Sequence, residues 1–492
     1  MKTLKRLTSV ILLAALLAAS LAACGGGGES AAPAATGAPA GGEAEISEAE
    51  AGETENAYIP DGVPDADLGG AELKFLTTTW YEAYKYIYAF ELDGEVINDA
   101  LYNQRMAVQD RFNVTVSLTA EDTQDTVSNN IHKMVLAGDD TYDLIYNHDT
   151  LTAGNGMKGD FINLRGVDGF DWSKPWYKGT SDTFTIGGKL FFTANSFALS
   201  GIYMNSILTI NKRLAEANGI AIPYDKAREG TWYFDDLIGM TADMNKDIDG
   251  DGKMTGEDQY GYLTSYYCEM SMQAGFGGAV VGKNGDGWLA MVPDETRIIS
   301  ILEKCGKLFE NGSDKLDGSN EGGTPTFIKG NTLMCFCEGR CIYTTVRNSD
   351  VPFGIMPIPK FDETQENYAS AGFDIYWAIP VPAAERAETT AAIVSAMSCY
   401  NYNTVVPQVW ELVLGSKLSD SPDDADMFAI LRDCQYVDVG FAFSGESGKI
   451  SDLCFLINKT DADQAASYIE KRREGALKAI DKINAKFEEL DG

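Results

Sequence analysis

Residues 72–77 read Glu-Leu-Lys-Phe-Leu-Thr, and this alternation of polar and apolar side chains predicts a β-strand. From 98 to 112 the apolar positions follow one face of a helix, and residues 113–118 alternate again as a second strand. A helix through 127–136 then precedes a short apolar strand at 142–146. Strands that alternate with helices predict a parallel sheet covered by helices, so the predicted fold class is α/β.

Polar and aromatic side chains follow two of these predicted strands. Trp80 and Tyr81 come directly after the first strand, and Tyr146 and Asn147 stand at the end of the third. In open parallel sheets, ligands bind beyond the carboxyl ends of the strands. We therefore expect these four side chains at a ligand-binding cleft.

Length and charge narrow the class of protein. The chain has 492 residues, which exceeds the ~250–300 residues at which a single hydrophobic core stops growing, so we expect two lobes. Its formal net charge is −34. This charge argues against binding to nucleic acid, and equally against binding to anionic lipid through the protein surface. The acidity alone names no ligand.

The first residues have the pattern of a secretory signal. Three basic residues precede an apolar run from 10 to 23, which ends in Leu21-Ala22-Ala23 before Cys24. The run is short of the ~20 residues that span a bilayer. This ending resembles the lipobox of bacterial lipoproteins, in which the cysteine thiol receives a diacylglycerol and the chain is cut before it. The alternative is an ordinary secretory signal in which Cys24 receives no lipid.

The resemblance assigns residues 1–23 to a lipoprotein signal peptide and Cys24 to lipidation. Residues 24–57 contain four successive glycines and then a chain rich in Ala, Pro, Gly and Glu, with no aromatic residue. Such a segment cannot bury a core, so we predict a disordered linker that tethers the folded part to its lipid anchor.

An Asp-rich segment at 247–258 has the spacing of a calcium-binding loop. A loop of the EF type supplies oxygen ligands from positions 1, 3, 5, 7, 9 and 12, with glycine at position 6. Gly252 takes position 6, and the predicted ligands are Asp247, Asp249, Asp251, Lys253 through its backbone carbonyl, Thr255 and Asp258. The last position holds Asp where sensors use Glu, and a strand-like segment follows. We predict a structural Ca²⁺ site; a solvated Asp-Gly turn is the alternative.

Tryptophan and cysteine give weaker signals. An aromatic face beside hydroxyl and amide groups suits a neutral polar ligand such as a sugar, so Trp80, Trp176 and Trp377 are candidate contacts, while Trp232 is expected in the core. The eight cysteines after Cys24 form no pair of CxxC units, and the chain has two histidines, so a zinc site is not expected. We expect these cysteines to be thiols in the core. No GxSxG or HExxH motif occurs.

These features together resemble the solute-binding lipoproteins of bacterial ABC importers, of the maltose-binding type. The resemblance runs from about residue 72 to 490. Besides the lipobox, it rests on several short segments and on the order in which they follow one another along the chain. These segments are 98–102, 111–114, 172–177, 188–192, 211–212, the Asp-rich loop with 258–261, and 354–360.

The resemblance implies a two-lobed, type II periplasmic-binding-protein-like fold, with a mostly parallel sheet in each lobe and crossing strands as a hinge. Lobe I is expected at 58–200 plus 351–400, and lobe II, with the calcium-type loop, at 201–350 plus 401–492. The expected crossings are near 193–205, 347–353 and around Tyr400.

The function that the resemblance implies is capture of a small-molecule solute, a carbohydrate, by lobe closure. The protein would be monomeric, anchored on the extracellular face of the cell membrane, without enzymatic activity, and would deliver its solute to the permease subunits. The expected contacts are Trp80, Tyr81, Tyr146, Asn147, Trp176, Tyr203 and Trp377, with Glu338 and Trp410 as weaker candidates. An exported calcium-stabilised carbohydrate-active enzyme and a ligand sensor for a membrane receptor are the alternatives.

Overall fold

A computed structural model describes residues 58–310, 322–372, 375–413 and 422–490. By its internal contacts the chain divides into Met1–Ala57 and Tyr58–Gly492. The predicted signal peptide, Cys24 and the linker lie outside the described residues. None of the described helices is long and apolar enough to cross a membrane.

Strands and helices alternate in the first part of the chain, and runs of consecutive helices occur further on. The strands are β1 (Ala71–Thr78), β2 (Val114–Glu121), β3 (Leu144–His148), β4 (Ser206–Asn211), β5 (Tyr260–Thr264), β6 (Val281–Lys283), β7 (Leu289–Met291), β8 (Thr332–Glu338), β9 (Phe353–Met356), β10 (Ser370–Ala371), β11 (Ile375–Ala378) and β12 (Gln435–Tyr436). The helices are α1 (Val96–Phe112), α2 (Gln124–Ala137), α3 (Asp149–Lys158), α4 (Thr180–Phe184), α5 (Ser200–Tyr203), α6 (Lys212–Ala217), α7 (Tyr224–Arg228), α8 (Phe234–Thr241), α9 (Tyr266–Gly275), α10 (Glu295–Glu310), α11 (Thr324–Phe327), α12 (Gly339–Thr344), α13 (Ala387–Tyr400), α14 (Val406–Val413), α15 (Pro422–Asp433), α16 (Val439–Ala442), α17 (Gly448–Cys454), α18 (Leu456–Lys459) and α19 (Ala465–Glu489).

The first sheet, in lobe I, has the strand order β11-β3-β1-β2. Strand β1 runs parallel to both β2 and β3, with Phe75 opposite Leu118 on one side and Leu144 on the other. Strand β11 pairs antiparallel with β3 at the edge. The alternation of apolar residues seen in the sequence thus builds the predicted parallel sheet, and the α/β class is confirmed.

The second sheet, in lobe II, has the strand order β5-β8-β4-β9. Only β5 and β8 are parallel, while β4 is antiparallel to both β8 and β9. This sheet is therefore mixed rather than mostly parallel. The chain enters β4 directly from lobe I, so that strand runs away from the junction of the lobes, whereas β8 runs towards it and ends there.

The lobe boundaries differ from the predicted ones in two places. Residues 353–371, predicted in lobe I, belong to lobe II, because β9 pairs with β4 and β10 pairs with β12. Residues 401–410, predicted in lobe II, pack on lobe I, where Gln104 Nε2 donates to Asn401 Oδ1 at 3.0 Å. The chain crosses at 200–205, as expected, and returns to the first sheet between β10 and β11 rather than near 347–353.

The C-terminal helix α19 packs on both lobes rather than on the second alone. The ring of Phe487 lies 5.1 Å from that of Phe191 in lobe I. Asn484 Nδ2 donates to the carbonyl of Leu289 at 2.9 Å, and Arg473 pairs with Glu295 at 3.0 Å. The helix therefore braces the two lobes along one side.

The core contains the tryptophan and the thiols that the sequence analysis assigned to it. Trp232 is fully buried, and its Nε1 donates to the carbonyl of Pro357 at 3.1 Å. The eight cysteines of the described residues are buried free thiols. Burial raises the pKa of Cys341 and of Cys434 to about 12, so both thiols stay protonated and unreactive.

A buried carboxylate fastens α15 to the second sheet. Asp424 is fully buried and accepts hydrogen bonds from Lys212 Nζ at 2.7 Å, Tyr224 Oη at 2.9 Å and the Ile355 amide at 3.3 Å. Asp426, two residues on, is exposed and pairs with Arg228 at 2.7 Å.

We predict that Asp424→Ala lowers the free energy of unfolding by roughly 3 kcal/mol, because it leaves the buried Tyr224 hydroxyl and Ile355 amide, and the partly exposed Lys212 ammonium, without their acceptor. Asp426→Ala in the same helix should cost less than about 1 kcal/mol, as exposed ion pairs do. Urea denaturation of the two variants measures the difference. Equal losses would show that the buried network does not stabilise the lobe.

Candidate functional site

A cavity of about 350 Å³ lies where the two lobes meet, and we call it the front cleft. Lobe I contributes Trp80 and Tyr81, which follow β1, and residues 148–150 at the end of β3. Lobe II contributes Tyr266 and Tyr267 after β5, and Glu338 at the end of β8. The remaining lining residues are Met204, Ile375, Phe441, Ser444, Ser451 and Phe455. The carboxyl ends of strands in both sheets therefore form one site, as expected for this fold class.

The aromatic wall of lobe I sits on an unusual backbone. Trp80 begins a 3₁₀ helix, Trp80–Tyr86, immediately after β1. Tyr81 and Glu82 have positive φ angles of 46° and 55°, a region that non-glycine residues occupy at a cost of order 1–3 kcal/mol each. The Trp80 ring lies 4.5 Å from that of Tyr81 and 4.9 Å from the imidazole of His148. The strained turn thus presents a continuous aromatic surface to the cleft.

A histidine and a buried carboxylate form the polar floor beside Trp80. His148 Nδ1 lies 2.8 Å from Asp149 Oδ1, and Asp149 is only 3% exposed. Burial lowers the pKa of His148, but the charge of Asp149 and its hydrogen bond outweigh that effect, so the pKa of His148 is raised. The cleft thus holds a buried carboxylate and a neighbouring imidazole as hydrogen-bonding groups.

The opposite wall is also aromatic. Tyr266 stacks on Phe455, with ring centroids 4.7 Å apart and planes 21° apart. Tyr267 meets the same phenylalanine ring edge-on at 5.9 Å. Both tyrosines are half-buried, so their rings and hydroxyl groups lie at the cleft surface.

One contact joins the two walls directly. The guanidinium group of Arg340, in lobe II, lies 4.5 Å from the centre of the Tyr81 ring in lobe I. Arg340 Nη2 is held by Glu338 Oε2 at 3.3 Å. Tyr81 and Arg340 also line a neighbouring cavity of about 490 Å³, together with Tyr203 of the hinge. The Tyr81–Arg340 pair therefore divides the space between the lobes into two compartments.

The predicted contacts separate into three groups. Trp80, Tyr81 and Glu338 line the front cleft, and Tyr203 lies in the compartment next to it. Trp176 and Trp410 line a different cavity, on the other side of the hinge, that we call the hinge cavity.

Tyr146, Asn147 and Trp377 do not reach the cleft and are 0%, 1% and 0% exposed. Strand β3 lies between β1 and β11, and helices cover the sheet, so side chains before its last residue face the core. Asn147 Nδ2 donates to the carbonyl of Gln124 at 3.0 Å, and Trp377 Nε1 donates to Asn195 Oδ1 at 2.8 Å. These three residues are structural rather than ligand contacts.

The tyrosines of the second wall were not among the contacts predicted from the sequence. Tyr266 and Tyr267 follow β5 in the same way as Trp80 and Tyr81 follow β1. The strand-end rule applied to residues 260–264 would have found them. Phe441 and Phe455 carry no such signal, because Phe441 lies in the short helix α16 and Phe455 lies between α17 and α18, in the C-terminal part of the chain that the fold brings to the cleft.

The Asp-rich loop lies before β5, at the end of that strand remote from the cleft. Carboxylate oxygens of Asp247, Asp249 and Asp258 lie within 4.8 Å of one another. Asp251 Oδ1 instead accepts from the amide of Lys253 at 2.7 Å, and Thr255 Oγ1 donates to Asp258 Oδ2 at 3.2 Å. Three of the predicted ligands therefore converge, and Asp251 is turned into the loop.

The pairing of His148 and Asp149 gives a prediction. Asp149→Asn removes the charge that raises the pKa of His148 and leaves the effect of burial, so we expect that pKa to fall. The chain has only two histidines, and His132→Gln assigns the remaining imidazole signal in a two-dimensional NMR titration. The raised pKa contributes stability at low pH that is lost as the pH rises through it. An unchanged titration in Asp149→Asn would contradict this account.

No protein-family model matches the sequence, and a search of curated proteins finds no match. Solved structures do match. A sugar transporter protein from Rhizobium etli in an open conformation aligns with a TM-score of 0.57 and 14% identity, over 82% of this chain and 99% of that one. An ABC substrate-binding protein from Listeria monocytogenes in complex with cycloalternan aligns at 0.53 and 13%, over 83% and 99%. A maltose/maltodextrin-binding domain from Bdellovibrio bacteriovorus bound to maltotriose aligns at 0.50 and 15%, over 83% and 100%. This chain therefore has the two-lobed fold of the maltose-binding type of ABC-transporter solute-binding protein.

Proposed function

We propose that the protein is a solute-binding protein that captures a carbohydrate in the front cleft and performs no chemistry on it. The observation that carries this proposal is the pair of aromatic walls, Trp80 with Tyr81 on lobe I and Tyr266 with Tyr267 on lobe II, which face one cavity from two lobes. Sugar rings present apolar faces to aromatic side chains and hydroxyl groups to polar ones. Proteins of the same fold are described as bound to maltotriose and cycloalternan, which supports the carbohydrate class.

The polar groups of the cleft suit hydroxyl groups. Asp149 and Glu338 are buried carboxylates that accept hydrogen bonds, and Thr150, Ser444 and Ser451 both donate and accept. Because these groups come from different lobes, a ligand touches all of them only when the lobes are closed. Ligand binding then shifts the population towards the closed form, which is the state that a partner can recognise.

We further propose that the protein is anchored by a lipid on Cys24 to the extracellular face of the cell membrane and serves the permease subunits of an ABC importer. The signal-like residues 1–23 and the linker composition support this placement. A sensor for a membrane receptor would use the same closure. An exported enzyme would shorten an oligosaccharide, whereas a binding protein releases it intact.

We predict that Trp80→Ala weakens glycan binding at least about tenfold, or about 1.4 kcal/mol, because it removes the central aromatic face of lobe I. Trp288→Ala is the matched control, since Trp288 is half-buried in the β6–β7 hairpin outside the front cleft. A panel of malto-, cello-, manno- and xylo-oligosaccharides is titrated into the full-length chain while tryptophan emission is recorded.

Two outcomes would count against the proposal. If no glycan changes the emission or the melting temperature, the carbohydrate class is wrong. If mass spectrometry finds the bound glycan shortened after incubation, the protein is an enzyme rather than a binding protein. Equal losses of glycan affinity in Trp80→Ala and Trp288→Ala would show that Trp80 does not contact the glycan.

We also propose that the loop at 247–258 binds a structural Ca²⁺ ion. The convergence of Asp247, Asp249 and Asp258 supports a hard oxygen site, and Thr255 stands beside Asp258. The amide of Thr255 donates to Asp258 and so lowers the pKa of that carboxyl, which keeps it charged. A bound ion would tie the loop to the start of β5.

Calcium should therefore raise the melting temperature of the protein. At a free concentration one hundred times Kd, a ligand of the folded state adds about 2.7 kcal/mol to the free energy of unfolding. Asp249→Asn should abolish this gain. Asp286→Asn, in another Asp-Gly turn, should keep it. Calorimetric titration with CaCl₂ and thermal melts measure both effects, and an Asp249→Asn variant that still responds would place the ion elsewhere.

A further inference from the structure

The hinge cavity, of about 280 Å³, lies behind the crossing segments that form the back of the front cleft. Met204 lines the front cleft, and the next residue, Asn205, lines the hinge cavity. At the second crossing, Ile375 lines the front cleft and Gly372 lines the hinge cavity. The same stretches of chain therefore separate two cavities, and only the front one belongs to the proposed carbohydrate site.

Both lobes build the walls of the hinge cavity. Trp176 and Tyr402 of lobe I have their rings 5.8 Å apart. Trp410, on α14, packs against Phe428 of α15 in lobe II at 5.1 Å. Lobe II adds Tyr436 of β12. The cavity is thus faced by large aromatic rings, which suit the carbon skeleton of an organic molecule.

Four nitrogen donors of residues that line this cavity have no hydrogen-bond partner among the described residues: Trp176 Nε1, Asn205 Nδ2, Trp410 Nε1 and Gln435 Nε2. Trp410 is only 8% exposed, and its Nε1 has no hydrogen-bond partner among the described residues. Gln435 Nε2 likewise has none among them. An indole N–H can only donate, and a buried donor without an acceptor is costly. The missing partner is therefore a group that accepts hydrogen bonds.

The charges at the cavity have the opposite sign to the rest of the protein. The chain has 73 acidic and 39 basic residues. Among the described residues, however, those that line the hinge cavity include Lys178 and Arg432 and no carboxylate. Both cations are exposed, and Arg432 also pairs with Asp433, at 2.9 Å, outside the lining. Positive charge and unpaired donors together favour an anion with several acceptor oxygens.

We propose that the hinge cavity is a second binding site, which takes a small organic carboxylate. The carboxylate oxygens accept from Trp410 Nε1 and Gln435 Nε2 near Arg432, and the carbon skeleton packs on the aromatic rings. Since lobe I supplies the indole and lobe II supplies the amide and the guanidinium, the ligand bridges the lobes. Its binding is therefore coupled to the angle between them.

The test is calorimetric titration of the full-length chain with citrate, succinate and inorganic phosphate. We expect citrate or succinate to bind with one site per chain, and to bind at least tenfold more weakly in Trp410→Phe, which keeps the ring and removes the N–H. Gln435→Glu, which adds a negative charge where a donor stood, should abolish binding. Trp288→Phe, the same substitution outside the cavity, should bind as the unaltered protein does.

Three results would overturn the proposal. They are no binding of either carboxylate, equal affinity in Trp410→Phe and the unaltered protein, or phosphate binding as tightly as the carboxylates, which would indicate a surface cation site without use of the aromatic rings. Circular dichroism and the melting temperature of each variant show that it is folded. Glycan titration of the front cleft is scored separately, because the two sites do not share a wall residue.

Discussion

Beside the front cleft the two lobes meet through the guanidinium group of Arg340, which lies 4.5 Å from the centre of the Tyr81 ring. A cation over an aromatic face contributes ~0.5–2 kcal/mol, depending on how far it is removed from water. Such a contact favours one arrangement of the lobes by an energy small enough for it to break. A binding protein needs this balance, because lobes locked by a larger energy could not open to admit a solute. Glu338 and the left-handed backbone at Tyr81 place the two partners, so the geometry of the cleft depends on them.

The general fold could be predicted because it follows from local patterns. The alternation at 72–77 became β1 at Ala71–Thr78, and the helical face at 98–112 became α1 at Val96–Phe112. The rule that ligands bind at strand ends placed Trp80 and Tyr81 correctly at the cavity. These predictions use only neighbours within a few residues, which is the range over which side-chain periodicity carries information.

Some predictions that depend on distant contacts were wrong. Tyr146 and Asn147 were expected at the cleft, but β3 is an inner strand whose side chains are covered on both faces, and its neighbours cannot be read from 142–146 alone. The strand at 353–356 was assigned to the wrong lobe for the same reason, since an apolar strand does not specify its partner. Register and strand order are set by the whole core.

The front cleft and the hinge cavity, on opposite sides of the crossing segments, differ in the charge of their lining residues. In front of the crossing segments, Asp149 and Glu338 are buried acceptors, each beside a cationic or protonatable partner. Behind them, Arg432 and unpaired N–H donors have no carboxylate among the described lining residues. One backbone therefore separates an acceptor-rich site from a donor-rich one. If the proposed lobe closure turns about that backbone, it changes the width of both cavities, and the two proposed ligands would then be coupled through the hinge without touching each other.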